Sequence, residues 1–144
     1  MVTDVSNRVF TNVREYVRSV HPNTNCQNAM TVSPDELPAL GFRQINMREV
    51  GVDLDQGTFD DHVAVECSVE IQVFSNSDLT EARDIMNTAC DAMRAMTFTR
   101  NYGAALIEDR NNRGIWRMVA RFSRIVHGLS DIPRFDVPSG TGTN

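Results

Sequence analysis

The sequence predicts an α+β domain. Its sheet is four-stranded and mostly antiparallel, with two helices packed on one face in the order α-β-β-α-β-β and an extended C-terminal arm. Three patterns predict it. Val63, Val65, Cys67, Val69, Ile71 and Val73 fall on every second residue, with Glu66, Ser68, Glu70 and Gln72 between them. A strand turns successive side chains to opposite faces, so this run has one apolar and one polar face. Two further segments repeat apolar residues at steps of three and four, as amphipathic helices do. Turn chemistry between the remaining alternating runs separates two more strands.

The first helix is predicted over residues 4 to 20. Val5, Val9, Val13, Val17 and Val20 form its stripe, Tyr16 flanks it, and Thr3 or Asp4 caps it. So many valines lower its intrinsic propensity, so it needs the sheet to stay helical. His21-Pro22-Asn23 ends it, and residues 21 to 32 have no period. Ser33-Pro34-Asp35-Glu36 combines a serine cap, an early proline and capping-box spacing. Pro38 and Gly41 confine that feature to a short turn of helix.

A strand is expected from Phe42 to Val52, with Ile45, Met47 and Glu49 alternating against Gln44, Asn46 and Arg48. The acidic connection that follows, with Asp53, Leu54, Asp55, Phe59, Asp60 and Asp61, is too long for a tight hairpin and is a candidate docking loop. The main strand then runs to Ser75. Asp78 caps the second helix with Glu81 completing the box, and Leu79, Ala82, Ile85, Met86, Ala89, Met93 and Met96 form its apolar face. A third strand opens at Thr97 and continues to Glu108, and the Asp109 to Gly114 segment is a turn. The fourth strand covers Ile115 to Val126: Trp116, Met118, Ala120 and Phe122 share one face, and Arg117, Val119, Arg121 and Ser123 the other. Residues 1–128 read as one domain, and 129–144 as an arm anchored by Ile132 and Phe135 with a flexible tail.

Composition narrows the function. A chain of 144 residues with 41% apolar content suits one core. The net charge of −5, from 14 basic and 19 acidic residues, argues against a DNA-coating protein, which needs a basic footprint. The 3 cysteines imply no disulfide framework: Cys67 and Cys90 read as small buried hydrophobes and Cys26 as free. Neither a membrane-length apolar run nor a signal-like start is visible, so a soluble protein made in a reducing compartment is expected.

Chemistry is hard to place. His21, His62 and His127 are scattered and Cys-x-x-Cys does not occur, so no metal site is expected. Asp53-Leu54-Asp55-Gln56-Gly57 hints at a calcium loop, but the position that needs a bidentate glutamate holds Ala64. Cys67 faces the core, Ser75 and Ser77 read as turn and cap residues, and Gly103, Gly114 and Gly128 make no phosphate loop. No enzyme and no cofactor are expected. Glu66 and Glu70 read as a solvated strand face. Arg117 and Arg121 share a strand face with Arg113 in line; they either pair with Glu66 and Glu70 or meet another subunit across matched charges. These five residues are the candidate subunit interface. Core filling explains the methionine set Met86, Met93, Met96 and Met118. A small RNA- or ligand-binding module is the competing class, but an RNA-binding sheet wants exposed aromatics, and only Phe74 offers itself.

Two segments carry a resemblance. "VEIQVFSNSDLTEARDIMNTACDAMRAMTFTR" and "NNRGIWRMVARFSRIV", with "LGFRQINMREVG" upstream, resemble the tail terminator and tail-completion proteins of long-tailed bacteriophages. The match covers about residues 37 to 126 and the leading helix, and rests on the order of elements. The resemblance implies a non-enzymatic virion protein of the neck, made in the host cytoplasm. Copies would form a ring, commonly a hexamer, at the head-proximal end of the tail tube. The ring would stop tube growth, contact the tail tube protein, present a surface to the head-tail connector, and let the genome pass through its lumen without specific binding. A head-completion or adaptor protein of the same neck is the neighbouring possibility. The chain departs from the family pattern in the long connection before its main strand.

Overall fold

A computed structural model describes residues 2–28, 37–50, 64–108 and 115–135, with side chains left undescribed at 2–4, 46–50 and 102–108. Its elements are α1 (Val2–Val20), β1 (Asn25–Gln27), β2 (Ala39–Val50), β3 (Ala64–Ser75), α2 (Leu79–Ala95), β4 (Thr99–Glu108) and β5 (Trp116–Val126), then a 3-10 turn at Leu129–Asp131. The fold is α+β, with two helices and a mixed five-stranded sheet in the order β1-β2-β3-β5-β4.

The strictest alternation in the chain, β3, takes the central position, paired antiparallel with β2 on one side and β5 on the other. The α2 crossover carries the chain from β3 to β4 on the far side of β5, and β5 returns to fill the gap between them. The fifth strand was not expected. β1 lies in the stretch without a period and runs parallel to the start of β2, pairing Asn25 with Ala39 and Gln27 with Gly41. Three residues are too few to show a period of two, so the strand exists through its neighbour rather than its own pattern.

Strand β2 begins earlier than the alternation suggests and carries a register shift between Gln44 and Asn46. A bulge adds one residue to one strand. Before it, Leu40 and Phe42 pair with Val73 and Ile71; after it, Met47 pairs with Cys67. The apolar parity of the sequence thus switches from even to odd within one continuous strand.

Both helices pack on the same face of the sheet. Val5, Val9, Val13 and Val17 of α1 and Ala82, Ile85, Met86, Ala89 and Met93 of α2 join Leu40, Phe42, Cys67, Val69, Ile71, Val73, Ala120 and Phe122 in one core. Each large side chain buried there contributes about 1.5–3 kcal/mol of apolar transfer. The stripe of α1 stops at Val17, because Val20 at the helix end is 55% exposed. Phe10 and Phe42 link α1 to β2, with ring centroids 5.5 Å apart.

The start of α2 departs from the expected box. Asp78 accepts from the Glu81 backbone N–H at 2.7 Å, while the Glu81 carboxylate takes the Ser75 hydroxyl instead of closing on Asp78. At the other end, Thr97 sits at φ 62, Phe98 N–H reaches Met93 O and Thr97 N–H reaches Arg94 O. This is the paired closure glycine usually makes. The short helical turn expected at Ser33 to Glu36, the acidic loop, the Asp109 to Gly114 turn and the residues after 135 lie outside the described residues.

Candidate functional site

With both helices on one side, the opposite face of the sheet is covered by no other described element. Cross-strand register fixes what stands on it. Arg43 of β2, Glu70 of β3 and Arg121 of β5 are directly opposite one another, in one row across three strands. Arg43 donates to Glu70 Oε1 at 2.5 Å, Gln72 Nε2 donates to Oε2 at 3.3 Å, and Arg121 Nε lies 3.8 Å from Oε2. The Glu70 side chain is 5% exposed, the two arginines about half. A carboxylate withdrawn from water needs charged partners and hydrogen bonds, and arginine stems can cover it while their heads stay wet.

This corrects the expectation that Glu70 stands on a solvated face. Its second cation, Arg43, was missed because only sheet order and register bring β2 against β3 at that level. Glu66 is half-buried and stands opposite Arg48 and Ile125, so its cross-strand neighbours do not include Arg117 or Arg121. Ile125 is 46% exposed.

On the other side of the charged row, Gln72 faces Val119, which is buried. Phe74 faces Arg117. Arg117 is half-buried, and its Nε is shielded from solvent with no hydrogen-bond partner among the described residues. Burying a polar group without a partner is costly, so this atom is an unsatisfied point among the described residues of this face. Arg113 and the acidic docking loop, Asp53, Leu54, Asp55, Phe59, Asp60 and Asp61, lie outside the described residues.

The arm residues lie on the helix side. Ile132 is fully buried in the main core, and Phe135 is half-buried with its ring edge-on to Tyr16 at 6.1 Å. The buried Asn12 of α1 was missed. Its one sequence signal is an amide inside the valine stripe, between Val9 and Val13. Arg124 was missed as well: it donates to Met96 O and Thr97 Oγ1, each at 2.7 Å, and lies 3.6 Å from the Asp131 carboxylate. It therefore joins the end of α2 to the base of the arm.

The three cysteines are free thiols, Cys67 and Cys90 buried and Cys26 half-buried. Burial pushes the Cys26 and Cys67 thiols up to about 11 and raises Cys90 as well, so all three are mostly protonated near neutrality. Among the described residues, no group of three His, Cys, Asp or Glu side chains is arranged to hold a metal ion. No helix among them is long and apolar enough to cross a membrane. Among the described residues this face thus carries a matched charge row and, at Ile125, an exposed apolar side chain. No protein-family model matches the chain, and no curated protein matches it.

Proposed function

We propose that the chain is a non-enzymatic structural protein of a long-tailed phage virion. It forms a ring, a hexamer by preference, at the head-proximal end of the tail tube. There it ends tube growth and joins the tail to the head connector. One observation carries the proposal: the sheet face opposite the helices has no covering element among the described residues, yet it holds the Arg43–Glu70–Arg121 row and the partly shielded Arg117. Such a face is suited to be covered by a second copy.

The segments behind the family resemblance support the reading. The first runs from within β3 through α2 into β4, and the second includes all of β5, so both bear on this sheet. A ring needs head-to-tail contacts that close by rotation, and different parts of one face can meet in that way. The acidic balance of the chain favours a lumen that does not grip DNA. An adaptor of the same neck shares the face and the ring, and is separated from a terminator by which partner copurifies with it.

The test is Arg117→Glu. Across the strands Arg117 stands opposite Phe74 and Ile107; the variant sets a carboxylate against the neighbour, and its thermal melting checks that the monomer fold is kept. Native mass measurement is expected to show the variant's oligomer shifted to monomer by at least tenfold in dissociation constant, about 1.4 kcal/mol. An unchanged oligomer removes Arg117 from the interface. Arg121 is a poorer probe, because its replacement by glutamate would place like charge beside the buried Glu70.

A further inference from the structure

Residues 132–135 of the arm lie along α1, while Arg124 of β5 holds the base of the arm at Asp131 and Ile132 is buried in the core. Arg8, Asn12, Glu15 and Tyr16 stand at steps of four, three and one along α1, which puts them on one face. Arg8 donates to Ile132 O at 2.8 Å. Asn12 donates through Nδ2 to Pro133 O at 3.1 Å and accepts from Phe135 N–H at 3.0 Å through Oδ1. Glu15 pairs with Arg134 at 3.0 Å, and Tyr16 meets the Phe135 ring.

A fully buried asparagine that both gives to and takes from an extended segment acts as a sheet edge does: main-chain bonds hold the peptide, and a side-chain pocket selects it. Ile132 fills that pocket. Pro133 has no N–H to leave unpaired, so it contributes an acceptor without an orphan donor. The seat is thus specific for the sequence Ile132-Pro133-Arg134-Phe135. No strand of the sheet pairs with these residues, so nothing in the ladder ties them to their own chain.

We propose that this α1 seat also receives the arm of a neighbouring copy, so that in the ring each chain's residues 132–135 dock on the next chain's α1. The proposal rests on the ring reading above. Exchange repeats the α1 contacts of residues 132–135 and gives up only those of the hinge turn, and the proximity of adjacent copies supplies the effective concentration. The connection from Val126 to Ile132 spans about 20 Å when extended, beyond the radius of gyration of about 14 Å expected at this chain length. Opening needs release of the turn at Leu129–Asp131, whose latch is Asp131 accepting from His127 N–H and facing Arg124.

Two single variants of the full chain, Glu15→Cys and Arg134→Cys, test the exchange. Both positions are partly exposed and their ion pair contributes little, so each variant folds. Mixed under assembling conditions and oxidised, they are expected to give covalent heterodimers on a denaturing gel. The Glu15→Cys chain mixed with wild type is expected to give none. The double variant reports the alternative, a disulfide closed within one chain. Oligomers by native mass that contain only internally closed chains overturn the exchange and leave the ring standing. A chain that stays monomeric at every concentration and on tail tubes overturns both.

Discussion

Glu70 shows how one residue changes meaning between sequence and structure. In the sequence it is one of several polar residues between core positions. In the fold it is a nearly buried carboxylate held by Arg43, with Arg121 and Gln72 close by. Removing one cation from such a site costs more than breaking an exposed pair. Arg43→Met is therefore expected to lower stability by about 1–2 kcal/mol in urea unfolding, reduced from the buried-pair range because Arg43 is half exposed. Arg94→Met, at the exposed pair with Asp91, should change it by less than about 0.5 kcal/mol. Asp131 makes a pH-dependent case. The His127 backbone N–H does most to hold its carboxyl below the usual range; desolvation opposes this as the second-largest effect, and the Arg124 charge and the His127 side chain lower it further. A depressed folded-state value contributes stability above the unfolded carboxyl range, near pH 4, and that stability is lost as pH falls through the lowered folded value. The urea midpoint of wild type should exceed that of Asp131→Asn at pH 7, and the gap should close as the pH is taken below about 4.

At the scale of elements, the patterns that could be read are those repeated often enough. β3 was legible because six apolar positions alternate without a break, and α1 and α2 because their stripes run for several turns. β1 was not, since it has no internal repeat and depends on β2. The bulge in β2 was written in the sequence as a change of parity between Phe42 and Ile45, but only its partner strand reveals it as a bulge. That gives a sharp expectation. Deleting Ile45 removes the extra residue and leaves Leu40 and Phe42 paired as before, with Met47 still opposite Cys67. Such a chain should express in soluble form and melt cooperatively. Deleting Ser68 from the unbulged β3 shifts half of that strand to the wrong face and should abolish cooperative melting. Equal behaviour of the two deletions would show that the register shift is not a bulge of this kind.

Across the whole molecule, one layer of helices and one sheet leave two unlike surfaces. The helix side closes on itself: the arm returns across α1, Ile132 plugs the core, and Arg124 joins α2 to the arm. The sheet side ends in a charged row with a shielded guanidinium beside it. The sequence placed Arg117, Arg121 and Glu70 on that side, because alternation fixes the face of each residue. It could not pair them, because pairing depends on strand order, and the order follows from a crossover that leaves no local mark. The arm's reading had a similar limit: Ile132 and Phe135 are apolar and stand out, whereas their receptor, Asn12, is a single amide whose role exists only in three dimensions.

The most direct test is the mass of the unmodified chain under native conditions, over a series of concentrations and with tail tubes added, beside Arg117→Glu. A closed oligomer of defined size, a hexamer by preference, that is weakened in the variant is the predicted result. A wild-type chain that remains monomeric throughout, with and without tubes, would contradict the proposal that the sheet face opposite the helices is built to be covered by copies of itself.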